Sequence, residues 1–175
     1  NLRTGMTMRT DLLLEKLISL LNEQISLYHS LLNVLQHERR AMIAVEPLIL
    51  NECTKEKENL ILKIRVLEEH RINYVENLAE SFCCPATELP LRKLAERVEE
   101  PFATQLLDCS CALSALVGSI HEINQSNRSL VSHSLDLVRG SLTLLNSLVC
   151  SHSVYHQTGQ MHVAERSGMV FSDNV

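Results

Sequence analysis

A seven-residue apolar repeat runs through most of this chain and constrains its fold more than any other feature. Leu14, Leu21, Tyr28, Leu35 and Met42 recur at that interval, with Ile18, Ile25 and Leu32 four residues further on. An α-helix turns every 3.6 residues, so this spacing lays a narrow apolar line along one side, where a second helix packs. Thr10 or Asp11 can cap such a helix, and no Gly or Pro interrupts it before about Val45. Pro47 opens the next run or bends the connection before it. That run reaches about Ser81 and carries Cys53, Leu60, Leu67 and Tyr74, with Leu50, Ile64 and Leu78 as companions. Lys57 and Arg71 intrude on this line; their stems are read as covering apolar surface while their charges reach water. The connection near Glu46 is short, so the two helices are predicted to be antiparallel neighbours.

Cys83-Cys84-Pro85 ends the second helix, and a short helix over Leu89 to Val98 fits between Pro85 and Pro101. Pro101 then opens a third long segment, to about Ser153. Cys109, Leu116, Ile123, Leu130, Leu137 and Leu144 form its seven-residue series, with Leu113, Ile120, Asn127, Ser134, Ser141 and Leu148 as companions. As one straight helix it would be ~80 Å long. It is therefore expected to bend near Gly118 or Gly140, or to project from the bundle. Between Phe102 and Gln160 the charged residues are only Asp108, Glu122, Arg128, Asp136 and Arg139. A helix this poor in charge calls for a cover, supplied by the chain itself, a twin subunit or a partner.

The predicted fold class is all-α: an antiparallel long-helix hairpin of coiled-coil character, a short helix and a long C-terminal helix in an up-down bundle. Residues 1–10 are read as a disordered N-terminal extension, 11–153 as the helical bundle and 154–175 as a flexible C-terminal tail.

Composition narrows the function. Five Gly and four Pro in 175 residues are too few for a sandwich or barrel. The glycines, Gly5, Gly118, Gly140, Gly159 and Gly168, lie too far apart for a phosphate-binding loop. A net charge of −5 argues against nucleic acid. Charged or amide side chains interrupt each Leu cluster, so no membrane span is expected. The first apolar run is broken by Glu15 and Lys16, so no secretory signal is expected either. The six cysteines show no framework spacing and read as reduced thiols in a cytoplasmic protein.

Little here suits bond-breaking chemistry. His152 and His156, one turn apart, lack a third ligand and read as a solvated helix end. Cys109-Ser110-Cys111 lacks the spacer of a zinc or redox pair. Cys83-Cys84 reads as a helix terminus, and Glu99-Glu100 as a charged turn rather than an acid/base pair. No Glu-x-x-His pair offers a di-iron site. The chain is read as a non-enzyme without cofactor or metal. Asn127 falls on the apolar line, either as a buried amide fixing helix register or as a polar contact to a partner.

Three stretches resemble the FlgN family of flagellar type III export chaperones. They are Lys55 to Arg71 (KEKENLILKIRVLEEHR), Ile123 to Leu130 with Asn124 and Asn127 three apart, and Tyr155-His156-Gln157-Thr158-Gly159-Gln160. With Glu38 in the first helix, the likeness covers nearly the whole chain from Asp11. The Cys83-Cys84 pair and the elaborate Pro85–Pro101 region depart from it. The resemblance implies a cytoplasmic helical chaperone for the hook-associated proteins FlgK and FlgL. It also implies delivery of these clients to the type III export apparatus at its gate, FlhA. It places client contacts on the last helix, with Leu137, Leu144, Leu145, Leu148 and Val149 as anchors. Tyr155, Gly159 and Gln160 would form the docking or client segment, and Asn124 and Asn127 would set register. The rival reading is a coiled-coil adaptor or self-associating bundle with no export role.

Overall fold

The computed structural model describes residues 2–150, with side chains from 8 to 148. These residues form an all-α helical bundle with no strand among them. Helix α1 spans Leu2–Ala44, α2 Pro47–Ser81, α3 Leu91–Ala95 and α4 Phe102–Cys150, with a 3₁₀ turn at Ala86–Glu88. The first helix thus begins well before the expected cap at Thr10 or Asp11. No Gly or Pro stands between Met6 and Thr10 to stop it. Tyr155, Gly159, Gln160, His152 and His156 lie outside the described residues.

The α1–α2 hairpin has the predicted antiparallel pairing. One cluster joins Leu14, Leu17 and Leu21 of α1 to Val75 and Leu78 near the end of α2. The other joins Leu31, Val34 and Leu35 to Cys53 and Leu60 near its start. Burial on α1 is broader than one line: besides Leu14, Leu21 and Leu35, it takes in Leu17, Gln24 and Leu31. That second line was illegible in the sequence because Gln24 and Glu38 sit on it.

Both hairpin helices end in the same motif. At Val45, the N–H donates to the Met42 carbonyl and the Glu46 N–H to the Ala41 carbonyl. At Cys83, the N–H donates to Glu80 and the Cys84 N–H to Ala79. These paired bonds satisfy carbonyls left over at a helix end and require the first of the two residues to be left-handed. Val45 has φ 56° and Cys83 φ 52°. A β-branched residue there is strained by roughly 1–2 kcal/mol, where glycine would be relaxed.

The connector differs from the single helix expected over Leu89–Val98. Pro90 has φ −61° and ψ 157°, an extended conformation that separates the 3₁₀ turn from α3. Leu89 and Leu94 are completely enclosed, against Leu106 and Cys109 of α4. The connector therefore plugs one end of the bundle rather than merely bridging it. Helix α4 starts one residue after Pro101, and the Glu100 carboxylate accepts from both the N–H and the hydroxyl of Thr104. The helix runs unbroken through Gly118 and Gly140. A Cβ at either glycine would meet nothing within 4 Å. Neither is there to admit a close neighbour.

The chain divides into two units, Asn1–Ser129 and Leu130–Val175, with the boundary inside α4. Both clusters above belong to the first.

Candidate functional site

In the first unit α4 is held to α1 through polar groups as well as apolar ones. The Asn127 amide is 3% exposed, and its Nδ2 donates to the Leu35 carbonyl at 3.0 Å and to Glu38 Oε2 at 3.2 Å. The other Glu38 oxygen accepts from Lys57 Nζ of α2 at 2.5 Å. Arg39 Nη1 donates to Ser126 Oγ at 2.6 Å, and Cys109 Sγ to Asn22 Oδ1 at 3.8 Å. Asn127 Oδ1 is buried without a hydrogen bond among the described residues. Asn124, three residues earlier, is exposed and stands outside this junction.

Lys57 and Arg71 do not simply reach into water as expected. Lys57 pairs with Glu38, and Arg71 donates from Nε and Nη2 to both oxygens of Glu68 at 2.8 and 2.6 Å. Gln24 Nε2 also donates to Glu68, at 3.2 Å. Two opposite charges beside an apolar line are better matched to each other than left half-solvated. The Arg71 hydrogen bonds hold the Glu68 carboxyl below the usual glutamate range, with Gln24 adding to the effect. Burial, reinforced by Glu68, pushes the Tyr28 phenol up.

These groups line a cleft of about 290 Å³ with Leu91, Leu113, Ser114 and Val117. Its charged side chains engage one another. The cleft presents no nucleophile next to a general base. Burial raises the Cys53 and Cys109 thiols, which makes both poor nucleophiles. The five cysteines with described side chains are free thiols, and no cluster among the described residues could hold a metal.

The second unit is different in kind. Every side chain from 131 to 148 is exposed. Leu137 is 73% exposed, Leu144 66%, Leu148 64% and Leu145 57%. The Val149 side chain lies outside the described residues. Ser134 and Ser141 donate their hydroxyls to the Leu130 and Leu137 carbonyls, both at 2.9 Å. Satisfied within their own helix, these hydroxyls leave a surface with little demand for water. Val131, Leu135, Val138 and Leu142 are exposed beside them and were not singled out in the sequence. The signal was present: they repeat at the same interval, one residue out of step.

This apolarity corrects one expectation. A stretch of α4 is long and apolar enough, by length and composition, to cross a membrane, with mean hydropathy 1.3 over the best window. Serines and threonines interrupt its leucines where charges were expected to, and they weigh little against insertion. The model of the FlgN protein family matches residues 6–162.

The chain belongs to the FlgN family. Flagellar export chaperones of this kind are soluble, cytoplasmic and in general without enzymatic activity. Glu38, Lys57 and Asn127, picked out by the resemblance, meet at one junction of α1, α2 and α4. In this FlgN-family chain those residues tie the bundle together, and the densest run of exposed leucines and valines on α4 follows them. Neither a curated protein nor a solved structure matches the chain.

Proposed function

We propose that this protein is a cytoplasmic export chaperone that binds the apolar C-terminal helical segments of hook-associated proteins of the FlgK and FlgL type. It keeps them from assembling prematurely and hands them to the export gate. The observation that carries this reading is the run from 131 to 148, where eight large aliphatic side chains are more than two-fifths exposed. Exposed apolar surface on this scale favours association and invites aggregation unless something covers it. Subunits that polymerise through terminal helices carry a matching liability, an apolar stripe that is sticky until assembly. Laying one against the other removes both from water, in helix-in-groove fashion. Fully burying each leucine contributes roughly 1.5–3 kcal/mol, and ordering the client offsets several of these.

Leu137, Leu144, Leu145, Leu148 and Val149 are the client anchors in this reading. Asn127 fixes the register of α4 against α1, with Asn124 on the open side. Tyr155, Gly159 and Gln160 supply docking to the gate.

The test is co-purification with a hook-associated protein, full-length or lacking its C-terminal helix. The truncated client should not be retained, and Leu144→Asp with Leu148→Asp should release the intact one while helicity persists. Retention of the truncated client would overturn the reading. Tyr155→Ala should spare client binding and reduce secretion. The adaptor reading would instead be supported by stable dimers that those same aspartates dissociate, with no client bound.

A further inference from the structure

Around the axis of α4, residues 130–148 sort into two halves. Successive residues are rotated by about 100°, so every leucine and valine of the stretch falls within about 180°. Leu144 stands at one edge of that arc and Leu135 at the other, and only Ser134 and Ser141 interrupt it. The opposite half holds Ser132, Asp136, Arg139, Gly140, Thr143 and Asn146. Where α4 is buried in the first unit the arc is much narrower, with Leu106, Cys109, Leu116 and Asn127 within about 80°.

Charge separates the two regions as well. Where α1 and α2 meet, Lys57 pairs with Glu38 and Gln24 donates to Glu68. Residues 130–148 contain no Lys and no Glu, and their two charges, Asp136 and Arg139, lie together in the polar half. The hydroxyls of Ser134, Ser141, Thr143 and Ser147 donate to carbonyls of their own helix, at 2.8 to 2.9 Å. They can leave water without losing a hydrogen bond. An apolar half of bulky aliphatics opposite a half of Ser, Thr, Gly and Asn is the pattern of a helix that lies in a bilayer interface.

We infer that residues 130–148, when no client covers them, lie along the surface of a neutral, loosely packed bilayer with the apolar half sunk between the lipids. The stretch is ~28 Å long, close to the hydrocarbon thickness. Crossing would nevertheless carry the polar half with it and place Asp136 and Arg139 near the midplane, where both are strongly disfavoured. Lying flat keeps them in water. The chain carries a net charge of −5, and Asp136 offsets Arg139, so anionic lipid has nothing to attract. Binding then follows the apolar area inserted, which needs gaps between headgroups, and curvature widens those gaps. A client seated on Leu137, Leu144 and Leu148 occupies the same half. Bilayer binding therefore belongs to the unloaded protein, a restriction that rests on the chaperone reading above.

Flotation of the full-length protein with phosphatidylcholine vesicles tests this. Small sonicated vesicles should bind it about tenfold or more tightly than large extruded ones, and neither added phosphatidylserine nor lower salt should strengthen binding. Val138→Asp and Leu144→Asp, in the apolar half, should each weaken it about tenfold or more, whereas Asp136→Asn in the polar half should not. Circular dichroism checks that each variant is folded, and Val138→Ser is the milder form. A C-terminal segment of a hook-associated protein should return the wild type to solution. Flotation only with phosphatidylserine and only at low salt would overturn the inference, as would undiminished flotation of both aspartate variants or of the client complex. If the protein binds the hook-associated segment but no vesicle, the inference fails and the chaperone reading stands. If it binds vesicles but no such segment, the chaperone reading fails instead. If the aspartates split a dimer that floats with no vesicle, a second copy covers the face and the inference fails.

Discussion

From Leu106 to Asn127, helix α4 gives its seven-residue line to the bundle; from Val131 to Leu148 the same line stays in solvent. Both stretches are rich in leucine and poor in charge, so composition does not separate them. What separates them is the polar punctuation. Asn127 makes two hydrogen bonds to α1 and is buried, whereas Ser134 and Ser141, one and two heptads later on the same line, bond their own helix. The first kind of polar group anchors α4 to the rest of its own chain. The second asks nothing of a neighbour and so leaves the surface ready for another molecule. A repeat read from sequence gives the face of a helix, and the polar residues on that face tell whose helix will cover it.

The strongest way to break this contrast is to truncate one leucine in each stretch. Leu106→Ala removes a side chain with no exposure and should cost about 2–5 kcal/mol in denaturant unfolding. Leu137→Ala removes one that is 73% exposed and should change stability by less than about 0.5 kcal/mol. Comparable losses at the two sites would mean that residues 131–148 are packed in the free protein. The asparagines offer a second, smaller contrast. Asn127→Ala should destabilise by about 1 kcal/mol through its lost hydrogen bonds, part of it offset by removing the unpaired oxygen. Asn124→Ala, on the exposed side, should leave the unfolding midpoint where it was.

Two further changes concern only the first unit. Val45→Gly should relax the left-handed residue at the end of α1 and raise stability by about 1 kcal/mol, the strain relieved exceeding the added chain entropy. An unchanged or lower midpoint would show that Val45 is not strained. The Glu68 carboxyl, held below its ordinary value of 4.5 by Arg71 and Gln24, contributes stability that is present above that value. The contribution is lost as pH falls from there through the lowered folded value, because the unfolded chain takes up the proton first. Wild type should therefore lose slightly more stability than Glu68→Gln between pH 7 and pH 3. The difference should be only a few tenths of a kcal/mol, because the carboxylate is 44% exposed.

Most of the bundle was legible in the sequence, because period and breaker residues act locally. Leu14, Leu21 and Leu35 announced the buried line of α1, and Pro47 opened α2 where expected. The misses share a cause: they depend on groups distant in sequence. Gln24 is buried because Glu68 receives its amide, forty-four residues away. Lys57 and Arg71 looked like intrusions until their carboxylates were in place. Val131, Leu135, Val138 and Leu142 on the distal part of α4 were legible by the same interval, one residue out of step with Leu137 and Leu144.

Hydrogen exchange on the full-length protein, with and without the C-terminal segment of a hook-associated client, tests the central claim most directly. A helix with no buried face opens easily, so amides from 131 to 148 should exchange fast in the free protein. Those from 106 to 127 should be slow in both states. Client should then slow exchange over 131–148 specifically. Slow exchange there before any client is added, or none gained afterwards, would contradict the account.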